Sequence, residues 1–481
     1  MPLQTVMNMQ NKLRFILINV VLYQLLIFST PAGVHAQELW GYANSNYSGI
    51  MGLHLNPAKI LGVPYQWEVN VIGADVFYDN NYVYLPKLSD VTAKTSVDEN
   101  GKPANTTNVV VYKSGVDKHA YVKGQIIGPG FLMNKENYAW AVHSGIRVVA
   151  SANSIPDALA DGFYTKFDYA PLHSVVFKDM KVHSAGIAVA NIGFTFSKLW
   201  LNRNTHWLAY GITLNGLAGF DGAYMHAEVG EYSIPDSSSI ALNNVNMDYG
   251  HAVDQSPSPK GFGASGDLGL VYIHKRNPGA YECGKDADRR RRYVYKASFA
   301  MIDVGFVNFK KNASRLELND GTVQWSNMDT AKFNGIDDFD RELNAHSSGM
   351  TVSDGFTMFM PAALSFQFDY CLKPRWYANL GIIQRIPLSE RQVYRANSIA
   401  LVPRYETRKL EASVSANMYE YEQVYLGAAL RYMFFVVGSD RILSFIGNDV
   451  RSMNLFFGLK FNSCMLQKKY KNKKGACPMN G

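Results

Sequence analysis

The chain has 481 residues, enough for one very large or two ordinary domains. Only 18% are charged and 13% are aromatic, and there are 39 glycines, so the composition suits a β protein with many turns better than a helical one. The net charge of +7 sits partly in a basic leader and a basic C-terminal tail, so no nucleic-acid partner is expected.

Lys12 and Arg14 precede an apolar run from Phe15 to Phe28, and Pro31 to Ala36 ends in small residues. This is the pattern of a secretory signal over residues 1–36, with Val34 and Ala36 at the two specificity positions. The apolar run is shorter than the roughly 20 residues a helical span needs. No cysteine follows Ala36 directly, so a lipid anchor is not indicated. Beyond the leader no stretch approaches a transmembrane helix. The mature chain is therefore soluble, or it crosses a membrane as strands.

The Gly-rich stretch Asn46 to Ala58, NYSGIMGLHLNPA, has no periodicity and occurs once. Residues 37–64 are read as a plug or lead-in. The run from Tyr65 to Tyr78 then alternates, with Tyr65, Trp67, Val69 and Val71 on one face and Gln66, Glu68 and Asn70 on the other. A period of two means a strand with a different environment on each face. Similar runs follow at Tyr82–Leu85, Val109–Lys113, His119–Gly128, Tyr138–Ala150, Lys181–Ser197, His206–Phe220, Gly266–His274 and Tyr293–Phe309. Five more lie at Met360–Tyr370, Arg375–Arg385, Tyr405–Tyr419, Glu422–Phe435 and Met453–Phe461. Ser151–Asp161 reads as a short helix, Arg441–Ile446 as a capped helical turn, and residues 228–263 and 311–354 as long polar loops.

That is about 14 strands near the ~10 residues a tilted membrane strand requires, with long and short connections in turn. The expected fold is all-β: a transmembrane antiparallel up-and-down barrel over residues 65–461, with a basic tail at 462–481. An even count puts both termini at one end, and Val109–Lys113 is needed to reach it. The alternative is a soluble β-sandwich. Against it, the polar faces carry Ser, Asn, Gln and Thr rather than charges. Rings also gather at strand ends: Tyr65, Tyr78, Tyr138, Trp200, Trp207, Tyr293, Phe309, Trp376, Tyr377, Tyr419 and Tyr421.

The Gly-rich lead-in ending in Asn56-Pro57-Ala58 resembles the NPA region of the long-chain fatty-acid transporter (FadL-like) barrels. Several further stretches are similar to a family of Gram-negative outer-membrane barrels known only as a domain of unknown function. They are Ser45–Ala58, Arg147–Asn153, Ile155–Gly162, Gly266–Tyr272, Gly438–Leu443 and Phe456–Phe461. A more distant likeness is to barrels associated with type IX secretion. The resemblance implies a barrel of ~14 strands with an N-terminal plug that moves hydrophobic molecules. Asn56, Pro57 and Ala58 would then be the plug and ligand gate. Their simpler reading is a helix-stopping turn that seats the plug.

No catalytic site and no cofactor are expected. The chain has no G-x-S-x-G, HExxH or Walker loop. His143-Ser144, His173-Ser174, His183-Ser184 and His346-Ser347 are adjacent pairs, and neighbours on a strand face opposite ways. Asp337, Asp338, Asp340 and Glu342 lack the spacing of a calcium loop. The run Arg289, Arg290, Arg291 and Arg292 is a candidate anion or partner contact, expected on the periplasmic side. The basic tail Lys468–Lys474 is either a free tail or a contact for an acidic partner. Cys464 and Cys477 could close a tail loop.

The expected location is the outer membrane, and the expected partners are outer-membrane lipid and the barrel-assembly machinery. The leading expectation is a FadL-like channel for a small hydrophobic solute. The alternative is an envelope interaction or scaffold protein of the secretion or gliding-accessory type. An open apolar lumen would favour the first, and a sealed polar lumen with large ordered loops the second.

Overall fold

A computed structural model of the chain describes residues 38–84, 110–111, 115–165, 173, 175–254, 256–276, 293–326, 336–445 and 451–463. Fourteen antiparallel strands close into a barrel. They are β1 (Trp67–Asn80), β2 (Lys118–Asn134), β3 (Tyr138–Ile155), β4 (Val176–Arg203), β5 (His206–Asp236), β6 (Gly261–Lys275) and β7 (Tyr293–Trp325). The second half is β8 (Ala363–Lys373), β9 (Trp376–Arg385), β10 (Ser398–Glu406), β11 (Leu410–Tyr419), β12 (Gln423–Tyr432), β13 (Phe435–Ser439) and β14 (Ser452–Asn462). Each strand pairs with the next, and β1 pairs with β14 to close the ring. A closed ring leaves no sheet edge, which is what a strand-built membrane span requires.

The alternating pattern sorts side chains between two environments. On β1, Val69 and Val71 are exposed on the outside, while Glu68 and Asn70 are fully buried on the inside. Every one of the fourteen strands carries at least one large exposed apolar side chain, such as Ile126, Leu214, Phe299, Leu401, Val414 or Phe457. A continuous apolar belt around a closed barrel is a lipid-facing surface. The rings at strand ends divide. Tyr138, Trp200, Trp376 and Tyr421 are outside, but Tyr65, Trp207, Tyr293, Phe309, Tyr377 and Tyr419 are buried. An aromatic side chain at a strand end follows the parity of its position, which the girdle rule ignores.

The count of fourteen arises differently from the sequence reading. Val110–Val111 pairs with Val83–Tyr84 in a separate two-stranded ribbon, so neither belongs to the barrel. Two tight turns, at 407–409 and 433–434, instead split runs that read as single strands. Neither turn carries Gly, Pro or an Asn-Gly pair, so turn chemistry did not mark them.

Tight turns also join β2 to β3, β4 to β5 and β8 to β9. They all lie at one end, with the N-terminal entry and the end of β14. At the other end β4, β5 and β7 run on for 28, 31 and 33 residues, far past the ~10 needed to cross a membrane. The strands Ser239–Ala252 and Thr351–Phe359 pair with these overhangs. The polar segments read as loops are therefore largely strand: solvated on one side, they still hydrogen-bond their backbones to a neighbour. Helices α1 (Asp157–Thr165) and α2 (Ile336–Ala345) flank this outer sheet, and α1 starts later than expected because β3 continues through Ile155. Leu159, Tyr232, Tyr249, Leu318, Trp325, Phe339 and Leu343 form a separate apolar cluster there, so the overhang has its own core.

Candidate functional site

Residues 38–64 run inside the barrel, and nearly all are buried. They contain a short helical turn at Trp40–Ala43 and two 3₁₀ turns, Gly49–Gly52 and Pro57–Gly62. The asparagine of the NPA motif starts the last of these. Asn56 Oδ1 accepts from Ala58 N at 2.8 Å, and Pro57 occupies the first helical position, where a missing N–H is harmless. Its Nδ2 donates to Leu270 O at 3.1 Å and Phe299 O at 3.0 Å, tying the turn to β6 and β7. The wall gives way to receive it. A Cβ on Gly211 would sit 2.5 Å from Ala58 N, and one on Gly269 would sit 2.2 Å from Asn56 Oδ1. Only glycine permits that approach. Gly381 likewise accommodates the Trp40 ring.

Many further contacts involve charged side chains of the wall. Asp440 accepts from Trp40 N at 2.9 Å and Gly41 N at 3.1 Å. Glu68 accepts from Ile50 N at 2.9 Å and from the Tyr65 hydroxyl, and it pairs with Lys460 at 2.8 Å. Lys460 also donates to Ser48 O at 2.7 Å. Arg431 pairs with Glu411, which accepts from Ser45 Oγ at 2.6 Å. Arg404 grips Asp369 bidentately at 2.7 and 2.8 Å and also meets Glu406, which accepts from Asn46. Arg395, in the segment between β9 and β10, pairs with Glu38 at 3.3 Å and Asp303 at 3.1 Å. Sequence reading missed this network because its members are scattered singly at inward positions. The available signal was parity: a charge at a position alternating with exposed apolar residues must face the lumen.

Within the segment, Lys59 donates to Ala43 O and Asn44 Oδ1. Burial pushes its ammonium well below the usual lysine range. Burial also holds His54 down at about 3, so its imidazole is neutral and its Nε2 lies 3.0 Å from Glu38 O.

One cavity of about 70 Å³ lies between the segment and the wall, lined by Leu53, His54, Gln125, His143, Asn191 and Asn215 among others. Ile127, which also lines it, borders a lapse in the pairing of β1 with β2. Asn70 partners Gly130 and Gly73 partners Ile127, leaving Val71 and Ile72 opposite Gly128 and Pro129 without ladder bonds. Asn70 Nδ2 donates to Gly128 O at 2.8 Å across that gap. Above it, Gln392, Val393 and Tyr394 are packed into the long-loop mouth, with Val393 in an apolar cluster that includes Phe309, Phe356 and Met358.

In the adjacent His-Ser pairs, His143, Ser144, His183, His346 and Ser347 hydrogen-bond to other residues and form no dyad among the described residues. His143 Nε2 faces Thr195 Oγ1 at 3.4 Å, whereas Ser144 Oγ donates to Pro129 O. Asp337, Asp338, Asp340 and Glu342 lie on α2, where Asp340 meets His251 at 2.7 Å. Among the described residues no group of three or more His, Cys, Asp or Glu is placed to hold a metal ion. Cys371 is buried and free. Of the sequence-derived candidates, Arg289, Arg290, Arg291 and Arg292 all lie outside the described residues, as do Lys468–Lys474, Cys464 and Cys477. The strand ends that flank the arginine run, on β6 and β7, are at the short-turn end.

The molecule is thus a transmembrane fourteen-stranded barrel with its lumen filled by its own N-terminal segment. The chain belongs to a family of unknown function, DUF5723, whose model matches residues 57–440. Among solved structures, a TodX deltaS2S3 mutant monoaromatic hydrocarbon channel is similar with a TM-score of 0.42 and 10% identity, over 86% of this chain and 95% of that one. The Ralstonia pickettii toluene transporter TbuX is similar with a TM-score of 0.39 and 10% identity, over 89% and 98%. A Pseudomonas aeruginosa FadL homologue is similar with a TM-score of 0.24 and 11% identity, over 89% and 97%. The barrel assignment rests on the strand pairing of this chain itself. No curated protein matches it.

Proposed function

We propose that this chain is an outer-membrane barrel that is closed at rest and works as an envelope interaction protein, through the ordered overhang at its long-loop end. Closed antiparallel barrels with short turns at one end and long loops at the other are the outer-membrane type, and such a chain would be exported and inserted by the barrel-assembly machinery. The observation that carries the reading is the lumen. It is occupied by residues 38–64, and buried ion pairs from several strands hold them, with Lys460, Arg404 and Arg431 almost fully buried. A drug-sized ligand site needs roughly 300 Å³ or more and a mainly apolar lining. The cavity here is about 70 Å³ and its walls are largely polar. The overhang, by contrast, has its own core and a broad, ordered surface, as a protein-binding platform requires.

A second reading is uptake of a small hydrophobic solute, with movement of Asn56–Ala58 as the gate. The lapse in wall pairing beside the cavity favours it. One experiment separates the two. Purified protein in liposomes is tested for swelling in small sugars and for uptake of toluene and palmitate. The interaction reading expects no permeation above protein-free liposomes. Solute-selective permeation of either hydrophobe would overturn it in favour of transport.

A further inference from the structure

The short-turn end carries a charge pattern that the lumen does not use. Lys135, Arg203, Arg276, Lys373, Arg375 and Lys409 are all exposed there, on or beside the tight turns and strand ends. Among the described residues of those turns, Glu136 is the exposed carboxylate. The long-loop end is mixed instead, with Asp117, Asp236, Asp320, Glu390 and Glu422 exposed alongside Lys178, Lys181, Lys310, Lys311 and Arg341.

The position of these cations relative to the lipid-facing belt decides what they meet. Lys135 precedes the exposed Tyr138 on the same hairpin. Arg203 lies three residues past Trp200, which is 68% exposed. The Lys373 ammonium stands 5.2 Å from the ring centroid of Trp376, itself 43% exposed. Lys409 adjoins Leu410, whose register partner is the exposed Tyr432, and its carbonyl accepts from Met433 N. Outward aromatic rings at strand ends sit at the headgroup level of a bilayer. A cation one step beyond such a ring is at the depth of the lipid phosphates. An acidic protein docking on the turn tips would not need rings on the outer wall beside each cation.

We propose that this rim is a binding collar for anionic phospholipid headgroups of the periplasmic leaflet. It rests on the reading that the barrel spans the outer membrane with its short turns in the periplasm. The rings anchor at the glycerol level, and the ammonium and guanidinium groups meet phosphate oxygens by charge-assisted hydrogen bonds. A zwitterionic lipid brings its own cation to the same place, which the excess of positive side chains repels. The collar therefore selects net negative lipids.

The test uses the full chain purified in mild detergent. It is mixed with equal amounts of phosphatidylglycerol and phosphatidylcholine, and bound lipid is counted by native mass spectrometry. The expected result is several-fold preferential retention of phosphatidylglycerol. In the R203E/K373E/K409E variant that preference should be lost, since each basic group near an anionic surface adds on the order of 1 kcal/mol. Heat-modifiable gel mobility checks that the variant is folded. Equal retention of the two lipids by the unmodified chain overturns the proposal. So does a preference the variant leaves unchanged, including the case where the variant instead loses a co-purifying acidic protein. A chain that shows no heat modifiability and stays soluble without detergent fails the membrane reading itself. A heat-modifiable barrel with no lipid preference fails the collar alone.

Discussion

Replacing Lys460 by Met tests whether the lumen segment is clasped by charge. The Lys460 side chain is fully buried, and its ammonium is shared between Glu68 Oε2, Tyr47 O and Ser48 O. K460M keeps the volume and removes the cation. Glu68 would keep its bonds from Ile50 N and Tyr65 but lose its counter-charge while remaining inaccessible to water. Removing one partner of a buried pair costs about 3–5 kcal/mol. At about 1.4 kcal/mol per decade, the ratio of seated to unseated segment falls roughly 10²- to 10³-fold. Planar-bilayer recording reads this directly: the unmodified barrel should be silent, and K460M should show frequent openings. The K460M/E68Q double variant removes the stranded charge but keeps a side-chain oxygen to accept from Ile50 N and Tyr65, and should return most of the way toward silence. Openings in the double variant as frequent as in K460M would refute the reasoning, because they would place the effect in lost packing rather than in an uncompensated charge. Heat-modifiable mobility shows that each variant still forms a barrel.

Other outcomes follow from the same geometry. G211V places side-chain carbon against the backbone of Ala58, which cannot swing aside, so residues 56–60 should lose hydrogen-exchange protection while the strands keep theirs. N56A removes the bonds to Leu270 O and Phe299 O and the cap on Ala58 N. It should destabilise the folded barrel by about 1–3 kcal/mol, read as a lower thermal transition in detergent. At the long-loop end the Lys260 ammonium, 2.8 Å away, holds the Asp254 carboxyl at about 2. A depressed carboxyl stabilises fully above its ordinary value near 3.8 and loses that contribution as pH falls toward 2. Exchange protection of residues 256–260 should therefore drop between about pH 4 and pH 2, and D254N should abolish that step.

Strand periodicity made most of the barrel legible in the sequence. Val69 and Val71 against Glu68 and Asn70 foretold two solvents, and the structure puts the first pair toward lipid and the second in the lumen. Asn46–Ala58 stood out because nothing else in the chain resembles it; in the structure it is buried against inward groups of several strands. The overhangs were illegible for a physical reason. In the outer half of β5 and in Ser239–Ala252 the buried Val229, Tyr232, Val245 and Tyr249 are unevenly spaced among Asp, Glu, Asn and Ser, so no clean apolar alternation is there to read. The turns at 407–409 and 433–434 were missed because they lack the residues that turn geometry favours.

By itself the sequence determined the fold class and the two faces of the wall, because a period of two is a local property that each strand carries alone. Tertiary structure alone decided how the N-terminal segment is held. Glu68 lies 392 positions from Lys460, and Asp440 lies 400 from Trp40, so their pairing exists only once the barrel closes. Closure of the ring brings these single, scattered charges to one depth and turns an ordinary Gly-rich lead-in into a clasped plug.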